Sequence, residues 1–491
     1  MKESLRFSGC PSLTAEEVVV KLLYGRCAGL DIHKKSVSAC IRISRGASTE
    51  IVTGVFGTFT RDLESLRDWL QKNQVQQVAM ESTGVYWVPV WNVLERCDAF
   101  TLTLVNPQHV HALPGCKTDR RDAKRISELL QYGLLRASFI PPRPVRELRD
   151  LTRRRTHLQS DRNRVLNRIN RLLETANLKI GSVVSDIAGK TGTLILDRIT
   201  RGRSNPEELV ELAQGSLKNK KAELAESLNG FYSEHLRWLL REAVEDLRHL
   251  DHKLLQVDQR IGEQVKPHVE LIRRLCTIPG VEFTTATTIL AEIGLDMSRF
   301  PDPGHLASWA GLCPGNNESG GKRLSGRTRK GDRYLRRILV QSAWSVIHKK
   351  DCFLTAVFHR VAARRGMKKA AMAVAHRMLI IAWHIIRDGG IYQEAGGSYF
   401  DRLHPDRSAR RLMRRLQQIG FDVTLTGTPP KPASSKPERN RPEPTQPTVP
   451  LKPPAADPKI CRKCARWGIP CIHLRNRRAL AATSPPIASS T

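Results

Sequence analysis

The chain has 491 residues, with 80 Lys plus Arg against 48 Asp plus Glu and a formal net charge of +32. That length accommodates roughly two to four domains with a core that needs no disulfide staples, and so large a positive excess calls for a polyanionic partner. An anionic membrane is the weaker candidate, because no stretch is expected to approach the ~18–20 apolar residues of a spanning helix.

The first residues, "MKESLRFSGCPSLTAEEVVVKLLYG", place acidic side chains before a short apolar run, the wrong order for a secretory signal. The expected setting is the cytoplasm, on the nucleoid of a bacterial-type cell, with no membrane partner. Residues 1–25 read as an N-terminal extension. In residues 26–56 two apolar runs broken by "RGAS" predict a β-hairpin whose first strand is interrupted by Asp31. "TRDLESLRDWLQKNQV" has helical periodicity, "QQVAME" is a short buried strand ending at Glu81, and "WVPVWNVLERC" resumes a helix. The strand "FTLTLVNP" and a helix carrying Asp119 and Asp122 follow. This alternation predicts an α/β domain over 26–142, a mixed sheet with covering helices.

From 143 to 269 the pattern becomes helical. Leu151, Leu158, Val165 and Leu172 recur every seventh residue, one side of a coiled-coil seam whose second row includes Arg155 and Arg162. Residues 143–171 hold ten Arg against three acidic residues, so Arg153, Arg154, Arg155 and Arg162 are candidate phosphate contacts. A solvated basic face is the competing reading. A second helical region over roughly 220–275 is placed to return antiparallel, with a small lobe inserted at the turn. Residues 270–392 read as an all-α domain. Its "IPGV" turn resembles a helix-hairpin-helix, in which Gly280 would expose backbone N–H groups to a phosphate. The basic stretch "RSARRLMRRLQQIG" and a Pro-rich linker fill 393–458. Over 459–475, Cys461, Cys464, Cys471 and His473 form a C-x2-C-x6-C-x-H set suited to structural Zn²⁺. It is expected to be a separate unit, because the linker has little apolar surface with which to dock it. Residues 476–491 are a tail.

Asp119 and Asp122 lie three apart, on one face of a helix, among Lys117, Arg120, Arg121, Lys124 and Arg125. They suit either a helix dipole or a shared ligand. With Asp31 and Glu81 they make four carboxylates, an oxygen donor set appropriate to Mg²⁺, or Mn²⁺, in phosphoryl transfer.

"GLDIHKKSVSACI", "AMESTGVYWVPVWNVLE", "LVNPQHVHALPGCKTDRRDAKRISELL", "TIPGVEFTTATTILAEIG" and "WAGLCPGNNESGGKRLSGRTRKGDRYLRRILVQSAW" together resemble the DEDD-type transposases of the insertion-sequence family numbered one hundred and ten, over residues 26 to about 390. The resemblance implies a RuvC-like, ribonuclease-H-type domain whose catalytic acids are Asp31, Glu81, Asp119 and Asp122. It also implies a C-terminal transposase domain whose nucleophile on DNA is Ser319, the serine before the paired glycines, with Ser325 as rival. Lys322, Arg323, Arg327, Arg329 and Lys330 would hold the strand. A structured guide RNA from the element's own noncoding end is implied as a partner beside DNA. Acting on two duplexes, a recombinase is expected to be a dimer or tetramer. Two alternatives remain open: a RuvC-like nuclease on branched DNA with water as nucleophile, and a nonenzymatic nucleic-acid-binding regulator.

Overall fold

Residues 26–57 form three antiparallel strands, β1 (Arg26–Ile32), β2 (Ser36–Arg45) and β3 (Ser48–Gly57), and not the expected two-strand hairpin, because a turn closed by the His33 N–H on the Ser36 carbonyl splits the first apolar run. The computed structural model in which they occur describes residues 22–45, 48–81, 84–107, 119–315, 317–320, 322–424 and 462–469. The chain divides into two compact units, one up to Ile140 and one from Pro141.

In the first unit, β4 (Gln77–Glu81) and β5 (Thr101–Val105) extend the sheet in parallel on the other side of β1, giving the order β3-β2-β1-β4-β5. The parallel connections carry α1 (Thr60–Lys72) and α2 (Trp87–Leu94), as the right-handed crossover of such strands requires. Strand alternation then divides β1. Ala28, Leu30 and Ile32 share a core with Leu63, Leu66 and Leu70 of α1 and with Val90 and Leu94 of α2. Cys27 points to the opposite face and packs with Ala79, Val105, Ile126 and Leu130, the last two from α3 (Asp119–Gln131). A mixed sheet with helices on both faces is compatible with the expected RuvC-like α/β domain.

The second unit is mostly helical. Its long helices α4 (Arg143–Thr175) and α5 (Glu234–Val265) pack against each other. Arg155 meets Asp258 at 2.6 Å and Arg162 meets Asp251 at 2.6 Å. Seven residues forward on one helix match seven back on the other, so the two run antiparallel. Between them, short helices over residues 180–227 form a lobe whose Ile195, Leu196, Ile199 and Leu224 close a core on Ile169, Leu173, Leu240 and Val244. Beyond α5 come α6 (Phe283–Ile293), α7 (Arg333–Val346), α8 (Phe353–Arg365) and α9 (Met367–Asp388). The expectation that no stretch approaches the length of a membrane span is corrected by α9, whose 22 residues suffice by length and composition. Half of its apolar window is buried, and Ala371, Val374, Met378 and Ala382 lie in the core. The indole N–H of Trp383 donates to the Phe300 carbonyl at 3.2 Å.

The described part of the Cys/His segment is not a separate body. In and after α11 (Arg462–Arg466), Cys464, Trp467 and Ile469 are buried. The Trp467 and Phe283 ring centres lie 4.5 Å apart, and the Arg155 guanidinium sits 5.2 Å from the centre of the Trp467 ring. Arg466 donates to Asp258. The docking surface comes from the segment's own Trp and Ile, which an argument from linker composition overlooks. Cys461, Cys471 and His473 lie outside the described residues, as does the Pro-rich stretch.

Candidate active site

β1 and β4 run parallel with Leu30 opposite Met80, so Asp31 and Glu81 occupy the next positions along two neighbouring strands. Both residues are nearly buried, 6 % and 8 % exposed, at the carboxyl ends of parallel strands, where α/β sheets present ligands. The Asp31 carboxylate lies 3.1 Å from His33 Nε2.

α3 covers the same face. The Cys27 thiol donates to the Ser127 carbonyl at 3.5 Å. A Cβ on Gly29 would collide with backbone atoms of Ala123 and Ser127, so only glycine lets the helix lie this close to the strand. Ser127 lies over Cys27 and Gly29, and Ala123 over Gly29. Each step toward the helix start is therefore a step along β1 toward Asp31, and the first turn, bearing Asp119 and Asp122, lies at the Asp31 end. Asp122 is partly exposed, while the Asp119 side chain falls outside the described residues. Among the described residues, no group of three or more His, Cys, Asp or Glu side chains stands ready to hold a metal ion. Beneath the helix, burial pushes the Cys27 thiol up to about 12 and raises that of Cys40, so both are inert core thiols.

In the second unit the expectation of an all-α domain over 270–392 is corrected: β6 (Asn317–Ser319) and β7 (Lys322–Ser325) form a hairpin in which Ser319 pairs with Lys322, since the paired glycines between them permit a tight turn. Gly320 has φ +58°, as a two-residue hairpin turn demands. The sequence thus puts Ser319 on the last strand position before the tip, although its side chain is outside the described residues. Ser325, at the far end of β7, accepts the Arg327 N–H at 3.1 Å, which commits its hydroxyl oxygen to a local turn.

A buried ionic network anchors the chain just after this hairpin. Asp332 caps α7 by accepting the N–H groups of Tyr334 and Leu335 at 2.9 and 2.8 Å, and it meets Arg153 at 3.4 Å. Arg153 also grips the fully buried Glu292 through two bonds of 2.9 and 2.8 Å, with Arg149 3.1 Å away. Burial pushes the Glu292 carboxyl above its usual range against the pull of Arg153.

Comparison with known proteins assigns both regions. A DEDD-type transposase model of the IS110 kind matches residues 28–178, and the model described as "Transposase IS116/IS110/IS902 family" matches residues 272–357. The chain belongs to the IS110 family of transposases. A probable family 20 transposase of Pseudomonas aeruginosa is 26% identical over 328 residues, 65% of this chain and 87% of the relative. A protein of insertion element IS116 from Streptomyces clavuligerus is 26% identical over 306 residues, covering 57% and 73%. The pilin gene-inverting protein of Moraxella bovis is 30% identical over 149 residues, covering 29% and 46%. The transposase is thus an enzyme that acts on DNA by phosphoryl transfer.

Several residues expected to hold nucleic acid have partners within the fold of the transposase. Arg153, Arg155 and Arg162 are engaged by Glu292, Asp258 and Asp251. In the basic seam, α5 presents an acid opposite each of its two arginines. Gly280 has φ +82°, and a Cβ there would lie 2.7 Å from the Ser342 carbonyl, so helix packing accounts for the "IPGV" glycine. Arg154, Arg327, Arg329 and Lys330 are exposed; Lys322 and Arg323 lie on β7 with side chains outside the described residues. Sequence reasoning missed Arg149, Glu292 and Asp332. The last carried a local signal, an Asp immediately before a helical run. Glu292, inside an apolar helix, carried none that named its partners.

Proposed function

We propose that this transposase cuts and rejoins DNA through a covalent phosphoserine formed by Ser319, with Mg²⁺ or Mn²⁺ held by Asp31, Glu81, Asp119 and Asp122. The observation that carries the reading is the placement of Asp31 and Glu81 side by side at strand ends, under the first turn of the helix that begins with Asp119. Oxygen donors concentrated at such a rim fit a hard divalent cation, which would supply charge neutralisation at the scissile phosphate when bound. Ser319 follows from the family pattern and from its position at the hairpin tip, where glycines leave room for a phosphate.

In the proposed step the Ser319 oxygen bonds to phosphorus as the bond to the leaving sugar oxygen breaks. The hydroxyl proton passes to a base and the leaving oxygen gains one. One phosphoester replaces another, so the reverse reaction rejoins DNA without an external energy source. A guide RNA pairing with donor and target DNA, and a dimer or tetramer, complete the reading; the excess of 32 positive charges suits two nucleic acids. Zn²⁺ on Cys461, Cys464, Cys471 and His473 is proposed on ligand type and spacing.

A denaturing gel of the protein reacted with labelled DNA tests the chemistry. Wild type should yield a covalent adduct, Ser319→Ala none, and Ser325→Ala an adduct near the wild-type level. Cutting by the wild type without any trapped adduct would establish water as the nucleophile and the chain as a nuclease. An adduct undiminished in Ser319→Ala would show that another hydroxyl attacks.

A further inference from the structure

We propose that the transposase carries a further nucleic-acid site, a pair of basic grooves on either side of α8 that hold a phosphodiester backbone. The first groove starts at the foot of the serine hairpin, at Arg327 and Thr328, and is walled by Arg364, Arg365, Lys368, Lys369 and Arg377 of α8 and α9. The second lies between α8 and α10 (Pro405–Gln418) and is lined by Arg407, Arg411 and Arg415. Arg360, Arg364 and Phe400 line both, so the two share one wall. The Arg360 guanidinium rests 4.6 Å from the centre of the Phe400 ring, which fixes a cation where the grooves meet.

The charge of these walls is mostly unmatched within the local sequence. Residues 359–377 contain six Lys and Arg and no acid, and α10 contains five Arg with Asp406 alone among acids. Arg407, Arg411 and Arg415 are four residues apart, so they share one helix face and recur about every 6 Å along it. Asp401, the acid lining the second groove, meets Arg411 at 3.3 Å. Like charges stacked at this spacing destabilise a helix unless a counter-charge lies along it, and a phosphate backbone supplies one continuously. The cations face each other across concavities, which suits a strand better than a flat anionic membrane. The family match ends at residue 357, so most of these residues lie beyond it.

Binding by the full-length protein tests the site. Fluorescence anisotropy would be followed over a salt series in EDTA, with labelled duplex DNA, single-stranded DNA and a hairpin RNA as separate probes. On the probe that occupies the grooves, Arg407→Gln/Arg411→Gln/Arg415→Gln should make the slope of log affinity against log salt shallower by about two to three. The corresponding triple Lys variant should keep the wild-type slope, since charge is what the slope counts. A control of equal charge change on the lobe, Lys190→Gln/Arg203→Gln/Lys218→Gln, should leave it unchanged. The probe affected identifies DNA or RNA as the source of the backbone. An unchanged slope on all three probes, an equal fall in the lobe control, or retention on phosphatidylserine-containing vesicles but on no nucleic acid would each overturn the proposal. No chemical step is read, so the result stands apart from that for Ser319.

Discussion

In the helical unit, Asp258 and Glu292 are fully buried and each is met by two arginines, Arg155 and Arg466 for the one, Arg149 and Arg153 for the other. In the α/β unit, Asp31 and Glu81 are almost as buried, but they stand at neighbouring strand ends on the face covered by α3. The difference teaches that burial alone does not assign a carboxylate its role. Where helices pack, the chain's own guanidinia neutralise the acid, and removing one partner leaves a charge stranded in low dielectric. At the carboxyl rim of parallel strands, the same group stands where α/β folds receive ligands.

Substitutions in the two places should therefore break different properties. Asp31→Asn, Glu81→Gln, Asp119→Asn and Asp122→Asn should each lower DNA strand transfer on the order of 10³-fold or more, with DNA binding by gel shift and thermal stability close to wild type. Loss of binding in step with loss of chemistry would place these acids among the struts of the fold. Conversely, Glu292→Ala and Asp258→Ala should each cost about 3–5 kcal/mol in urea denaturation, since each strands arginines within packed helices. Asp258→Ala should in addition expose the 462–469 segment to limited proteolysis. A loss below about 1 kcal/mol in either would mean that the arginines find water as readily as the carboxylate.

Gly29→Ala sits between the two cases, because its Cβ must push α3 off the sheet. A cost of about 1–3 kcal/mol is expected from overpacking, together with a fall in strand transfer as Asp119 and Asp122 move with the helix. Strand transfer at the wild-type level despite that cost would separate the position of α3 from the chemistry. The smallest effect belongs to Asp251→Asn. Its pair with Arg162 leaves the acid about half exposed, and such a bridge contributes roughly 0–1 kcal/mol.

The α/β unit was the more legible of the two. The apolar runs around "RGAS" and the strand "QQVAME" are local patterns, and they mark Asp31 as an acid interrupting an apolar strand and Glu81 as one ending another, although the turn that splits the first run into two strands went unread. Ser319 carried no local signal of its own, since Ser-Gly-Gly is an ordinary turn, and it was singled out only through the family pattern around it. The basic seam was ambiguous in sequence for a plain reason. A run of arginines shows that counter-charges are needed, and composition alone does not say whether phosphates or the carboxylates of another helix supply them.

By itself, then, the sequence determined the elements and their polarity: a mixed sheet followed by long helices, one acid within a strand and another at a strand end, paired glycines in a basic loop and a large positive excess. These follow from interactions between residues near in the chain, which side-chain period and backbone preference dictate directly. Only the tertiary structure decided which arginines are consumed, that Trp467 and Ile469 fold back onto α5 and α6, and that α8, α9 and α10 enclose facing cations. Each of these pairs residues far apart in sequence, such as Arg153 with Glu292 or Arg466 with Asp258. Their partnership depends on how two helices are juxtaposed, and no local pattern encodes that.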